Sequence, residues 1–166
     1  PTSAPTPTPD PTASWKTYSN IPLKYSIKLP AQYSALDAEF NPVNDPSNAP
    51  MIGFLKYTSP EAKNIQKDRE TNYYESVSIL SQGNSPCSVS APENTKERAE
   101  ITIDGIRGVK WTGIDAKFGD PFLADTIVRV NRNSKCFQIF YLRDPMRLQD
   151  SGKLFDQILS TFKFTQ

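Results

Sequence analysis

The clearest pattern in the chain is the run Leu23-Lys24-Tyr25-Ser26-Ile27-Lys28-Leu29, in which apolar and polar residues alternate without a fault. A period of two places Leu23, Tyr25, Ile27 and Leu29 on one face of a half-buried strand, and Pro30 ends it. Upstream, Trp15 to Tyr18 is a short run before the Asn20-Ile21-Pro22 break, and it predicts a hairpin with that strand. Residues 41–50, NPVNDPSNAP, lack periodicity and read as a loop, after which Met51 to Tyr57 reads as a buried strand.

At Thr58-Ser59-Pro60-Glu61-Ala62 the pattern becomes that of a helix start. Ser59 suits the cap, Pro60 the first helical position, and Glu61 the positive end of the helix dipole. Ile65, Tyr73, Val77 and Leu80 then fall roughly on one helical face, so a long mid-chain helix is expected, ending no later than Gly83. From Gly83 to Lys96 the residues are mostly small or polar and include Pro86 and Pro92, which places Cys87 on a surface crossing.

The second half predicts an antiparallel meander. Its strands are Ala99 to Asp104, Val109 to Lys117, Phe122 to Asn131 and Lys135 to Arg143, joined by a turn through Gly105 and Gly108, a turn at Gly119-Asp120-Pro121 and the polar tip Asn131-Arg132-Asn133-Ser134. Four strands in succession need no crossover helices. Leu148, Phe155, Ile158 and Leu159 recur at helical spacing before Phe162 and Phe164 alternate, which predicts a C-terminal helix on the sheet and a short closing strand. The fold class is therefore α+β.

Composition changes this picture at the N-terminus. Residues 1–14, PTSAPTPTPDPTAS, are dominated by proline and threonine and carry one charge, Asp10. Such a segment cannot form a core and is expected to be a disordered, semi-rigid spacer holding a domain away from an anchor. Residues 15–166 are then about 150 residues, the usual size of a single domain. The chain begins with Pro, and no run approaches the length of a membrane helix. The expectation is an exported bacterial lipoprotein or similar, its signal peptide, lipid-modified cysteine or anchor helix removed, with the domain extracytoplasmic at the cell surface.

The net charge is +1 with Lys and Arg interleaved among Asp and Glu, so no long-range field draws in nucleic acid. Histidine is absent, which excludes a Ser-His-Asp triad, a Cys-His pair and imidazole metal ligation within this chain. Carboxylate, tyrosine and lysine chemistry remain. Cys87 and Cys136 are too far apart for a CxxC motif and too few for structural zinc, leaving a disulfide or two free thiols. Pairing would close a loop of about fifty residues, stabilise the fold by roughly 4 kcal/mol and tie the Cys87 excursion to the sheet. An oxidising compartment, which the spacer also implies, would favour it.

Candidate chemistry is sparse. Gly105-Ile106-Arg107-Gly108 has the spacing of a GxxG nucleic-acid clamp but reads better as a strand-connecting turn. Asp115, Asp120 and Asp125 could offer calcium ligands, although their spacing fits no EF-hand, and Asp37, Glu39 and Asp45 could offer paired carboxylates. No nucleophile elbow, SxxK or phosphate loop occurs. Tyr73 and Tyr74 cannot both point into one core, and with Trp15 and Trp111 they could form a contact or sugar-stacking surface. Arg129, Arg132 and Lys135 make a basic hairpin tip suited to an acidic partner or to guarding a strand edge.

The order of elements, together with Tyr25-Ser26-Ile27-Lys28-Leu29-Pro30, Thr58-Ser59-Pro60-Glu61-Ala62, Cys136-Phe137-Gln138-Ile139-Phe140-Tyr141 and Phe155 through Lys163, resembles the PsbP/Mog1-like family. The resemblance implies an α/β/α sandwich around a central antiparallel sheet, used mainly for binding and assembly. It transfers no active site, and its tethered form resembles the exported bacterial branch. The expected function is thus a non-catalytic binding or assembly domain without a cofactor or metal, monomeric, with a protein, polymer or small ligand as partner. Membrane contact is expected only through the removed anchor. The alternative is a hydrolase or other enzyme using carboxylate or tyrosine chemistry.

Overall fold

A computed structural model describes residues 10–31, 33–36, 52–57, 74–83, 85–88, 90–91, 95–113, 126–142 and 151–166. Its strands are β1 (Lys16–Asn20), β2 (Tyr25–Leu29), β3 (Tyr33–Leu36), β4 (Ile52–Tyr57), β5 (Tyr74–Gln82), β6 (Glu97–Ile103), β7 (Ile106–Thr112), β8 (Thr126–Arg132), β9 (Lys135–Leu142) and β10 (Lys163–Phe164). One helix, α1 (Ser151–Ser160), lies among the described residues. The strands form two antiparallel sheets, β1-β2-β10 and β3-β4-β5-β9-β8-β7-β6. The fold is mixed α+β and mostly strand.

The alternating run over residues 23–29 behaves as its pattern dictates. Tyr25, Ile27 and Leu29 are buried on β2, which pairs with β1 on one side and β10 on the other. The closing strand at Phe162 and Phe164 therefore completes the smaller sheet. Thr161, just before it, extends the pairing with a side chain: its hydroxyl accepts the Lys28 N–H at 2.9 Å and donates to the Ile158 carbonyl at 2.7 Å.

The predicted mid-chain helix is corrected over its second part. Residues 74–82 are strand β5, placed between β4 and β9. The physical reason lies in Ser76-Val77-Ser78-Ile79, where a period of two competes with the helical spacing of Tyr73, Val77 and Leu80. Val77 and Ile79 are fully buried opposite Tyr141 and Ile139, a face that only an extended chain supplies. The Ser59-Pro60 helix start lies outside the described residues.

One core joins both sheets and α1. Tyr25, Ile27 and Leu29 from β2 meet Val77 and Ile79 from β5, Val128 and Val130 from β8, and Phe137, Ile139 and Tyr141 from β9. The amphipathic helix adds Phe155, Ile158 and Leu159, spaced to share one face, while Asp156 and Gln157 stay exposed. Aromatic stacking joins the layers: Tyr141 lies 4.6 Å from Phe155 and Tyr25 lies 5.3 Å from Phe162, ring centre to ring centre. Burial of each such ring contributes about 1.5–3 kcal/mol. At the far edge of the larger sheet, β6 exposes Glu97, Arg98, Glu100 and Thr102, charged and polar positions that discourage edge-to-edge pairing.

The GxxG reading resolves into a tight hairpin. Asp104 and Gly105 have φ of 48° and 78°, the double positive φ that a two-residue turn requires, and Gly108 lies within β7. A Cβ at Gly108 would sit 2.6 Å from the Arg129 carbonyl oxygen and 2.8 Å from Val130 Cγ2, so only glycine lets β7 and β8 approach. Asp104 also reaches the smaller sheet, accepting the Phe164 N–H at 2.9 Å and the Lys163 ammonium at 3.1 Å. These two bonds, with the Lys163 and Arg132 charges, lower its carboxyl pKa below the ordinary aspartate value.

Residues 10–14, expected within the disordered spacer, are ordered as a turn, and residues 1–9 lie outside the described residues. The Asp10 carboxylate accepts the Thr12 N–H and hydroxyl, both at 2.8 Å, forming a turn that buries Thr12 and delivers Trp15 against the core.

Cys87 and Cys136 form a disulfide, with their Cα atoms 4.6 Å apart. The segment around Cys87 crosses the face of the larger sheet opposite the main core as a strap. The Cys87 N–H also donates to Asn131 Oδ1 at 2.6 Å, so β8 and β9 both hold the strap at one point.

Three outcomes follow from this architecture. Gly108→Ala is expected to lower stability by about 1–3 kcal/mol in denaturant unfolding, because a backbone carbonyl cannot move aside. Replacing Cys87 and Cys136 together by Ser is expected to cost roughly 4 kcal/mol in the same measurement, and a loss under about 1 kcal/mol would contradict a closed loop of this length. For Asp104 the depressed folded-state pKa means its contribution is present above the unfolded value and lost as pH falls through the lowered one. Asp104→Asn should therefore flatten the acid limb of a Tm-against-pH profile below about pH 4, leaving the neutral region parallel to the parent.

Candidate functional site

The β8–β9 hairpin turns at Asn133 and Ser134, whose φ of 49° and 62° give the two-residue geometry that matches strand twist. Arg132 and Lys135 form the pair that closes the turn, with Asn131 opposite Cys136, Val130 opposite Phe137 and Arg129 opposite Gln138 behind it. Alternation then divides the basic residues. Val128, Val130 and Arg132 share the face of Lys135 and Phe137, whereas Arg129 shares the opposite face with Asn131 and Cys136.

Arg129 accordingly belongs to the strap. Its guanidinium lies 5.0 Å over the Trp111 ring, its Nε donates to Gln138 Oε1 at 3.2 Å, and its Nη1 donates to the Ser88 and Ser90 carbonyls at 3.0 and 3.1 Å. Burial lowers its pKa, yet a guanidinium stays charged throughout the physiological range. Beneath it, Trp111 is fully buried, packed with Ile127 and the partly buried Val109 and Phe140, and its indole N–H has no hydrogen-bond partner among the described residues. The expectation of an open stacking surface at Trp111 is thus corrected, since the ring is covered. Trp15 is partly buried against the main core.

Arg132 belongs to the other face and joins the sheets. Its Nη1 donates to the Lys24 carbonyl at 3.3 Å, its Nη2 donates to the Thr165 carbonyl at 3.1 Å, and its guanidinium lies 4.6 Å over the Phe164 ring. The β1–β2 turn meets it there, shaped by Asn20, whose side-chain oxygen accepts the Leu23 N–H at 2.8 Å, and by Lys24 at a φ of 54°. Between this turn, the hairpin tip and the residues after β10 lies an open cleft of about 310 Å³. Leu23 and Phe137 supply apolar lining beside Pro22. Lys24, Arg132 and Lys135 supply three positive charges, and Asn133, Thr165 and Gln166 supply neutral polar groups. No carboxylate side chain lines it among the described residues. Ile21, 67% exposed, stands next to Pro22 on the turn, the exposed large apolar side chain among the described residues.

Of the partner-surface residues expected from sequence, Arg132 and Lys135 are therefore brought together and Arg129 is not. Tyr74 lies on β5 opposite Tyr57 of β4, in a different strand pair, and Tyr73 lies outside the described residues. Lys24, Phe137 and Thr165 were not legible as one site, because they come from three separate regions of the chain. The acidic groups Asp37, Glu39 and Asp45, and Asp115, Asp120 and Asp125, also lie outside the described residues. Among the described residues no helix is long and apolar enough to cross a membrane.

No protein-family model matches the sequence, and no curated protein matches it. The structure is similar to the solution structure of cyanobacterial PsbP (CyanoP) from Synechocystis sp. PCC 6803, with a TM-score of 0.55 and 13% sequence identity over 92% of this chain and 93% of that one. At that identity the likeness establishes architecture: the chain has a PsbP-like fold.

Proposed function

We propose that the chain is a non-catalytic binding or assembly domain, a single unit of α/β/α sandwich type, displayed extracytoplasmically on its Thr/Pro spacer. The cleft at the β8–β9 tip carries this reading. It gathers positive charge, neutral hydrogen-bonding groups and apolar surface at the meeting point of both sheets, where a ligand would be held by a rigid frame. The disulfide and the PsbP-like fold are consistent with an oxidising compartment outside the cytoplasm.

Location is tested by protease treatment of intact cells of the native host, followed by immunodetection and non-reducing mass spectrometry. The expected outcome is accessible protein with Cys87 and Cys136 paired. Protection in intact cells, or two free thiols, would count against display. The non-catalytic part is tested by incubating the purified chain with chromogenic ester, glycoside, peptide and phosphate substrates. Turnover that copurifies with the chain would establish the hydrolase alternative.

A further inference from the structure

The chemistry of the cleft narrows the ligand, given the binding role proposed above. Arg132 lies over the Phe164 ring and is fixed by two carbonyls, which use one N–H on each terminal nitrogen. A guanidinium has five such donors, so three are left over on a group that has already lost its rotamer freedom. Lys24 and Lys135 flank it, both exposed. No carboxylate side chain lies in the lining among the described residues, and Asp104, outside it, acts on Arg132, so an anion placed among the three cations meets a positive surface and preorganised donors.

The anion has company. Leu23 and Pro22 line the cleft as apolar surface, so the complementary ligand places a negative group next to an apolar one. Asn133 and Gln166 add side-chain amides and Thr165 a hydroxyl, each able to donate and accept, which is what a peptide backbone needs. A membrane surface fits less well. Anionic bilayers are captured by clusters of about 4–8 basic residues, and here there are three on a chain of net charge +1. Single-stranded nucleic acid would need open aromatic faces, but Phe137 is buried and Phe164 is covered by Arg132.

We propose that this cleft binds an acidic peptide segment of a partner protein, seating a carboxylate on Arg132 between Lys24 and Lys135 with an apolar neighbour against Leu23 and Pro22.

The test is amide chemical-shift mapping on the full chain with the capped peptide Gly-Asp-Leu-Glu-Leu-Gly, its Asn/Gln counterpart, inorganic phosphate and phosphatidylglycerol vesicles as separate probes. The expected result is a saturable perturbation confined to residues 20–24, 132–137 and 164–166 with the acidic peptide. It should weaken by about tenfold or more with the neutral peptide and in the exposed double variant Lys24→Gln/Lys135→Gln, and weaken as salt rises. Equal shifts from both peptides, no shift at the cleft, or an equal response to phosphate alone would overturn the proposal, as would a response to vesicles without one to peptide. Perturbation of another surface by the acidic peptide would overturn the cleft assignment while leaving the binding role standing.

Discussion

The strict alternation of the β8–β9 hairpin is the constraint on which the rest of this structure depends. One set of positions, Val128 and Val130 with Phe137, Ile139 and Tyr141, is committed to the core shared with β2, β5 and α1. The other set, Ile127 and Arg129 with Cys136, Gln138 and Phe140, faces the strap and Trp111. A slip of one residue would exchange these sets, burying Arg129 and Gln138 in an apolar core and exposing five large apolar side chains. The register is therefore fixed by burial on both faces, and the disulfide records the same register covalently by joining Cys136 to a strap that also binds Asn131.

Because the register is fixed, the junction between the sheets is fixed too. Among the described residues that junction is made by Arg132 to the carbonyls of Lys24 and Thr165, by Asp104 to Lys163 and the Phe164 N–H, and by the Tyr18 hydroxyl donating to the Tyr33 carbonyl. The Arg132 and Asp104 bonds reach from tight turns of the larger sheet to the β1–β2 turn and to the region of β10, a strand of two residues that could not hold its place by its own ladder. The Phe164 ring, against Phe137 and Phe162 at 5.0 Å and under Arg132, supplies the apolar part of the same joint. Site and joint thus coincide, so the cleft inherits the rigidity of the strands behind it.

Sequence periodicity disclosed strands with strong alternation and helices with a clear apolar face. Residues 23–29, the meander strands and the C-terminal helix lie where their patterns place them within the described residues, while the expected ends at 114–117, 122–125, 143 and 148–150 and the Gly119-Asp120-Pro121 turn lie outside those residues. It failed at Tyr74 to Gln82, where Val77 and Leu80 satisfy a helical spacing and Val77 and Ile79 a strand spacing. Only the partner strands β4 and β9 decide between them. The Asp104-Gly105 turn was readable from its dipeptide, since Asp-Gly between alternating runs is a strong hairpin signal; the wider turn through Gly108 hid it. The split of Arg129 from Arg132 was also within reach, because residues three apart on a strand face opposite ways. The cleft was not. It joins residues near 23, 135 and 165, and no local pattern encodes that meeting.

The way this fold treats its cations distinguishes structure from site. Lys110 is paired with Asp156, Lys163 with Asp104, and Arg129 is enclosed by carbonyls, an amide and an indole ring, so each has a partner that explains its place. Around the cleft Arg132, like Arg129, is fixed by neutral carbonyls, but its neighbours Lys24 and Lys135 bring further charge with no carboxylate side chain in the lining among the described residues. Carbonyls orient a guanidinium without neutralising it, and the Asp104 carboxylate, outside the lining, offsets its charge only in part. A structural staple needs orientation alone and would be served equally well with acidic neighbours. Lys24, Arg132 and Lys135 thus leave the lining positive beside Leu23, the condition under which the proposed anionic, partly apolar ligand would be selected.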